Sequence, residues 1–231
     1  MIEHLKYPYK PVQIRSILHP LVNQWFKKKF KKFSPPQLHA VYPIHSRENI
    51  LVSAPTGSGK TLTAFLSILN ELIDASMRGA LEDKVYCVYV SPLKALSNDI
   101  SVNLLSPLKE LEELAEKEFG IRIGLRTGDT TAYQKSKMTK NPPHILITTP
   151  ESLAIMINSP KFKLHLDKTQ WMIIDEIHSI AENKRGVHLN ITVERLQRIS
   201  PGMARVGLSA TIAPLEEIAK YLVGYKKGKL R

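Results

Sequence analysis

Residues 49–65 read NILVSAPTGSGKTLTAF, and this stretch decides the fold. Its first residues are apolar and β-branched, which predicts a buried strand, and its last residues have the apolar spacing of a helix. Between the two, Gly57 and Gly59 allow a tight loop whose backbone N–H groups turn inward. A strand, a glycine loop that ends in Lys60-Thr61 and a helix, in that order, predict a phosphate-binding P-loop.

The residues of this loop predict ATP and Mg²⁺ as ligands. Four of them are expected to surround phosphate oxygens: Thr56, Gly57, Ser58 and Gly59. Lys60 is predicted to reach the β and γ phosphates, and the Thr61 hydroxyl to ligate Mg²⁺. The general pattern has glycine where this chain has Ala54, so the loop is a relaxed variant.

An acidic pair, Asp175-Glu176, follows the apolar run at 171–174. Such a pair could simply cap the next helix. Together with a P-loop it predicts a hydrolytic site, in which Asp175 holds Mg²⁺ and Glu176 orients and deprotonates the attacking water. Lys60, Asp175 and Glu176 are therefore the predicted catalytic residues.

The rest of the chain alternates short β-branched runs with stretches of helical period, which predicts an α/β fold with a largely parallel sheet sandwiched by helices. The predicted strands are 49–52, 85–90, 121–125, 144–148, 171–174 and 205–208. Ligands of such sheets lie at the carboxyl ends of the strands. Residues 1–48 are predicted to be a mostly helical extension of the domain that residues 49–231 form.

Composition and charge narrow the class of protein. The chain has 231 residues, of which 43% are hydrophobic, and a net charge of +12. This excludes a disordered polycation, and no apolar run approaches the roughly 18 residues of a membrane span. The charge predicts a polyanionic partner, although lysine clusters such as 27–32 are commonly just solvated surface. The only cysteine, Cys87, is predicted to be buried and inert.

We expect an intracellular, cytoplasmic location, because the first residues lack the apolar core of a signal peptide. Association with the nucleoid is compatible with the basic charge of the chain.

Three ordered motifs carry a resemblance to a known family: the P-loop, Asp175-Glu176-Ile177-His178 and Ser209-Ala210-Thr211. Together they resemble superfamily 2 helicases of the DEAD/DExH type. Four further segments resemble the large helicase-related (Lhr) family: 90–100, 126–130, 147–153 and 184–189. The resemblance runs from about Trp25 to Thr211 and implies a RecA-like domain, the first of two. A second RecA-like domain would be its partner and would supply an arginine finger.

The resemblance assigns roles in nucleotide recognition and in coupling. Gln37 matches a glutamine whose amide can donate to and accept from adenine. Phe30 or Phe33 could stack on the base, with ordinary core packing as the alternative for both. His178 is implied to bond to the segment Ser209-Ala210-Thr211 or to the Gln37 side, which would link hydrolysis to strand movement. A plain structural hydrogen bond is the alternative.

Three further segments are implied to grip the sugar-phosphate backbone of a single strand. They contribute Pro92, Lys94 and Asn98; Thr127, Gly128, Asp129 and Thr130; and Thr149, Pro150 and Glu151. Lys94 supplies charge, while hydroxyls and loop N–H groups reach phosphate oxygens without reading bases. Thr149 could also cap a helix, and the two roles are compatible. Whether Arg185-Gly186 approaches the strand or shapes a turn is left open by the sequence.

The motifs therefore favour the ATPase half of a nucleic-acid translocase, with single-stranded DNA favoured as substrate. Its 3′ to 5′ polarity is implied by the resemblance alone. Because no segment matches the arginine-rich motif of a second domain, the chain alone is expected to turn over little ATP. An RNA helicase and a non-catalytic nucleic-acid-binding or interaction module on a P-loop fold are the alternatives. Intact Lys60, Thr61, Asp175 and Glu176 favour the enzyme.

Overall fold

A computed structural model of the protein describes residues 2–92, 100–211 and 214–224. Its centre is a sheet of six strands: β1 Ile50–Ser53, β2 Cys87–Val90, β3 Ile123–Arg126, β4 Ile145–Thr148, β5 Trp171–Ile174 and β6 Ala204–Ser209. All neighbouring strands pair in parallel, in the order β1-β6-β5-β2-β4-β3. The predicted α/β fold with a parallel sheet is confirmed.

The helices pack on both faces of this sheet. On the first face lie α1 Pro11–Ile17, α2 Pro20–Phe30, α3 Pro35–His45, α4 Lys60–Met77 and α5 Ser106–Ala115, the last preceded by a π-helical segment, Ser101–Leu105. The remaining helices are α6 Ala132–Lys140, α7 Pro150–Asn158, α8 Pro160–Lys163, α9 Ile177–Ala181, α10 Lys184–Ile199 and α11 Leu215–Val223. Proline at the first helical position, where no N–H partner is needed, starts many of them.

Two differences between the helices and the sequence pattern have a clear physical cause. The sequence has helical period from Leu104 to Phe119, but α5 ends at Ala115, because Glu116 adopts a left-handed conformation (φ +50°) that closes the last turn. Helix α6 was not expected, and it has no buried residue, so it lacks the apolar period by which a helix is recognised.

The core has two layers because the side chains of a strand alternate between the faces of the sheet. In β2, Cys87 and Tyr89 pack with the α1–α5 layer, whereas Val88 and Val90 pack with the layer that contains α7, α10 and α11. Cys87 is fully buried, as predicted, and burial raises the pKa of its thiol, which keeps it protonated and inert. Among the described helices, none is long and apolar enough to cross a membrane.

Candidate nucleotide and nucleic-acid site

The predicted P-loop connects β1 to α4 at the carboxyl edge of the sheet. Gly57 and Gly59 have φ angles of +79° and +87°, a backbone conformation that side chains with a Cβ rarely adopt. Helix α4 begins directly at Lys60, which is only 8% exposed. Its Nζ donates hydrogen bonds to the carbonyl oxygens of Ala54 (2.7 Å) and Pro55 (3.0 Å). The ammonium group therefore lies inside the loop.

The loop has the properties that a triphosphate requires. The Ser58 Oγ is buried and has no hydrogen-bond partner among the described residues. A Cβ built on Gly57 would meet nothing within 4 Å, so there is open space on that side of the loop. The positive end of the 18-residue helix α4 points at the same place. An anion bound in this loop would therefore interact with the Lys60 ammonium, the positive end of α4 and the unpaired Ser58 hydroxyl.

The Gln37 side chain lies next to the P-loop. It is buried, and its Oε1 accepts a hydrogen bond from the Ser34 backbone N–H (2.8 Å). A Cβ built on Gly59 would lie 3.9 Å from the Gln37 Nε2. The amide predicted to recognise adenine is thus fixed by the first turn of α3 and placed beside the phosphate loop.

The two candidate base-stacking residues pack in one aromatic cluster. The Phe33 ring is buried and stacks on Phe26, with 4.4 Å between the ring centroids. Phe30 packs against Phe26 (5.0 Å) and Trp25 (5.6 Å) but keeps about a third of its surface exposed. Core packing therefore accounts for Phe33, and stacking of Phe30 on a base stays a prediction.

Asp175 lies directly after β5 and is held in one orientation. It is 4% exposed; its Oδ1 accepts from the Glu176 backbone N–H (2.9 Å), and its Oδ2 accepts from the Tyr89 hydroxyl. Tyr89 was not among the predicted site residues; it lies in an apolar strand and stacks on Phe65. Its hydroxyl was a weak signal, because Tyr86 in the same apolar run carries the same group. Tyr89 fixes the carboxylate that is predicted to hold Mg²⁺.

Replacing Tyr89 with phenylalanine should weaken Mg²⁺-dependent ATP binding by about tenfold, since loss of a partner that orients a metal ligand typically costs 10–100-fold in affinity. Calorimetric titration of ATP with and without Mg²⁺ measures this. A matched control is Tyr86→Phe, because the Tyr86 hydroxyl accepts from the Glu82 backbone N–H at the other end of β2. Equal Mg²⁺ dependence of Tyr89→Phe and the wild type would contradict the assignment.

His178 joins the acidic motif to β6. Its Nε2 is 3.2 Å from the Glu176 Oε2, and its Nδ1 is 3.0 Å from the Ser209 Oγ. The Ser209 carbonyl in turn accepts from the Ala54 backbone N–H (3.2 Å) of the P-loop. The implied contact between His178 and Ser209 is present, and it joins Glu176, His178, Ser209 and Ala54 in one continuous series of contacts. The coupling role of His178 and of Ser209-Ala210-Thr211 stays a prediction.

The residues implied to grip a strand follow β2, β3 and β4. After β3, Thr127 and Thr130 close a turn, with the Thr127 N–H donating to the Thr130 Oγ1 (2.8 Å), so that Gly128 and Asp129 are exposed. Pro92 follows β2 and is partly exposed. Lys94 and Asn98 lie outside the described residues.

After β4, Thr149 caps α7, and its Oγ1 accepts from the Ser152 N–H (3.4 Å), so the capping role is present. Pro150 is the first residue of α7, and Glu151 follows it on the surface. The Arg185 Nε and Nη2 donate to the two carboxylate oxygens of Glu151 (2.6 and 3.2 Å). This hydrogen-bonded pair lowers the pKa of Glu151, so its carboxylate is charged at neutral pH. Arg185 was the residue whose direction the sequence left open.

The order of the sheet separates the two sets of residues. The P-loop follows β1, the predicted coupling segment follows β6 and the acidic motif follows β5, and these three strands are neighbours in one half of the sheet. The predicted strand contacts follow β2, β4 and β3, which form the other half. β5 and β2 are neighbours where the halves meet, and the contact between Asp175 and Tyr89 lies there. The residues predicted for the two sites thus lie side by side along one edge of the sheet.

A family model described as DEAD/DEAH box helicase matches residues 34–218, which include both halves of this edge. The chain belongs to the DEAD/DEAH box helicase family. The match covers the P-loop, the acidic motif and the Ser209-Ala210-Thr211 segment, so the resemblance inferred from these motifs is confirmed.

Within this family the chain is similar to proteins named Lhr-Core. It is 52% identical to the ATP-dependent helicase Lhr-Core of Methanothermobacter thermautotrophicus, over 100% of this chain and 27% of that protein. It is 55% identical to the Lhr-Core of Methanocaldococcus jannaschii, over 96% of this chain and 27% of that protein. The chain thus spans about a quarter of the length of these DEAD/DEAH box relatives.

A solved structure of the Mycobacterium smegmatis helicase Lhr, bound to single-stranded DNA and AMP-PNP, has the same fold. Its TM-score is 0.84 at 39% identity, and the similar region covers 94% of this chain and 28% of that one. The RecA-like architecture inferred for this DEAD/DEAH box domain is therefore confirmed.

Proposed function

We propose that this chain is the ATP-binding RecA-like domain of an ATP-dependent helicase that couples ATP hydrolysis to movement along a single nucleic-acid strand. The observation that carries the proposal is the shared sheet edge, on which the P-loop and the acidic motif lie beside the turn after β3 and the start of α7 after β4. A module that only binds nucleic acid has no physical need for Lys60, Asp175 and Glu176 together.

The residues in the half of the sheet edge that carries the P-loop have different roles in ATP binding and hydrolysis. Lys60 and the loop N–H groups would bind the phosphates, and Thr61 and Asp175 would hold Mg²⁺, which would stabilise charge on the phosphates when bound. Glu176 precedes α9 in a left-handed conformation (φ +47°), and its side chain makes no capping hydrogen bond to that helix. It is the group that would orient the attacking water and accept its proton.

We favour single-stranded DNA as the substrate. The net charge of +12 suits a polyanion, and the M. smegmatis relative was solved with single-stranded DNA. Contacts to phosphate groups alone do not distinguish DNA from RNA, because the two differ at the 2′ position of the sugar. Single-stranded RNA is therefore the second candidate, and a relative described as an ATP-dependent RNA helicase, from Arabidopsis thaliana, is 33% identical over 80% of this chain.

A second RecA-like domain is the partner that the proposal requires, because ATP hydrolysis in such motors takes place between two domains. The relatives are much longer than this chain, which is consistent with such a partner. A cytoplasmic location is part of the same proposal.

Binding and turnover measured on this chain test the proposal. We expect binding of ATP that depends on Mg²⁺, binding of oligo(dT) that weakens steeply with salt, and little hydrolysis with or without the oligonucleotide. Absence of ATP binding would contradict the nucleotide site. Robust strand-stimulated turnover by this chain alone would contradict the requirement for a second domain. Equal affinity for oligo(dT) and oligo(U) would remove the preference for DNA.

A further inference from the structure

We propose that Arg185 is part of the nucleic-acid edge, where it neutralises Glu151 and presents a cation to a phosphate of the bound strand. This assignment rests on the proposed function, since it needs a strand at the ends of β2, β4 and β3. It gives Arg185 a role in binding and makes Glu151 a positioning residue, because a carboxylate alone would repel the phosphate that Thr149 and its neighbours are predicted to hold.

The position of Arg185 follows from two helices that run side by side. At the start of α10, Arg185 pairs with Glu151 in the first turn of α7; farther along, the Arg195 Nη2 donates to the Asn158 Oδ1 (2.6 Å) at the end of α7. The helices are therefore parallel, and α10 begins at the carboxyl edge of the sheet, where α7 begins. Asn183 fixes this start, since its Oδ1 accepts from the Arg185 and Gly186 backbone N–H groups.

The acidic groups near the predicted strand contacts explain why Glu151 must be paired with Arg185. Asp129 is exposed after β3 and Glu151 is exposed after β4, so two acidic groups lie on the surface that a phosphate backbone would have to approach. Both carboxylate oxygens of Glu151 accept hydrogen bonds from Arg185. Both side chains are about half exposed, so the guanidinium keeps free N–H donors at the surface. A planar guanidinium can contact a carboxylate and a phosphate at once.

Arg185 is also close in sequence to the predicted hydrolytic motif, Asp175-Glu176. Gly186 packs directly on α9, because a Cβ there would lie 2.2 Å from the Ile180 carbonyl oxygen. Glu176 directly precedes α9, which carries His178. Binding of a nucleic-acid strand to Arg185 would therefore act on α9, the helix that begins next to the predicted catalytic residue Glu176. Arg185 is thus placed to transmit strand binding to the nucleotide site.

The direction in which each charge-removing variant changes oligo(dT) affinity tests the assignment. We expect Arg185→Ala to weaken oligo(dT) binding at low salt by about tenfold and to reduce the slope of log affinity against log salt by about one, as for one lost phosphate contact. Glu151→Gln should bind oligo(dT) a few times more tightly than the wild type, because it removes a negative charge from the surface that the phosphate backbone approaches. The double variant should recover only part of the loss, because the unpaired carboxylate is gone but the contact between Arg185 and the phosphate is not restored. Purely structural pairing predicts instead that both single variants weaken binding alike, which would overturn the proposal.

A matched ion pair provides the control. Arg122 and Asp83 pair at the amino end of β3, on the opposite edge of the sheet. Arg122→Ala removes the same charge, so it should change the salt slope much less than Arg185→Ala does. A second readout is the change in oligo(dT) affinity on adding Mg²⁺·AMP-PNP, which Arg185→Ala should reduce and Arg122→Ala should not. Equal effects of the two arginine variants would overturn the proposal. If the wild type binds no oligo(dT), the proposed function itself fails. If the wild type binds oligo(dT) but the two arginine variants behave alike, only the role of Arg185 fails.

Discussion

Replacing Lys60 with alanine is expected to lower the affinity of the chain for ATP·Mg²⁺ by about a hundredfold. The ammonium lies inside the P-loop on the carbonyl oxygens of Ala54 and Pro55, where it can turn to the phosphates without a change in the backbone. A charge-assisted hydrogen bond contributes about 1.5–3 kcal/mol, and Lys60 is predicted to make such bonds to two phosphates.

Titration calorimetry with ATP·Mg²⁺ measures this loss, and oligo(dT) binding provides the internal control. Lys60 lies in the nucleotide half of the sheet edge, so oligo(dT) affinity should stay within about twofold of the wild type. Lys161→Ala, which removes an exposed lysine from α8, is the matched variant and should leave both ligands bound as before. A Lys60→Ala protein that retains full nucleotide affinity would show that the loop does not bind phosphate.

Replacing Gly186 with alanine is expected to destabilise the fold by about 3 kcal/mol. The added Cβ would lie 2.2 Å from the Ile180 carbonyl oxygen, 3.0 Å from its carbonyl carbon and 3.1 Å from the Ala181 Cα. All three are backbone atoms, so α9 and α10 must move apart rather than repack a side chain. Alanine is the better residue in an unhindered helix, so helix propensity alone predicts the opposite sign.

Urea unfolding followed by circular dichroism measures this change in the free energy of unfolding. Gly202→Ala is the matched control, because a Cβ there would meet nothing within 4 Å and its φ is not in the left-handed region. Separation of α9 from α10 should also weaken ATP·Mg²⁺ binding in any protein that stays folded, since Glu176 directly precedes α9. A Gly186→Ala protein as stable as the wild type would show that the two helices are not in close contact.

Local motifs predicted much of the fold and of the nucleotide site. The glycines of the P-loop, the strand before it and the helix after it are adjacent in the chain, so the pattern contains both the conformation and the chemistry. The strands were predictable for a similar reason, because strands buried on both faces are nearly continuous apolar runs, as in Trp171–Ile174.

Residues whose roles depend on distant partners were not predictable. Tyr89 reads as a core residue until β5 brings Asp175 to its hydroxyl, and the direction of Arg185 is open until α7 brings Glu151 beside it. Whether Gly186 shapes a turn is equally open in the sequence, and only the approach of α9 explains the glycine. In each case the partner is set by the packing of elements, on which the local pattern carries no information.

The place of β1 at the edge of the sheet affects how the site forms during synthesis. β1, which begins the P-loop, pairs only with β6 among the described strands, and Ile50 lies beside Val206. The phosphate loop leaves the ribosome early, but the strand that supports it is the last of the six. A nascent chain therefore gains its nucleotide pocket only near the end of translation of this domain, and a ribosome stalled before Ala204 holds a chain whose P-loop strand has no neighbour.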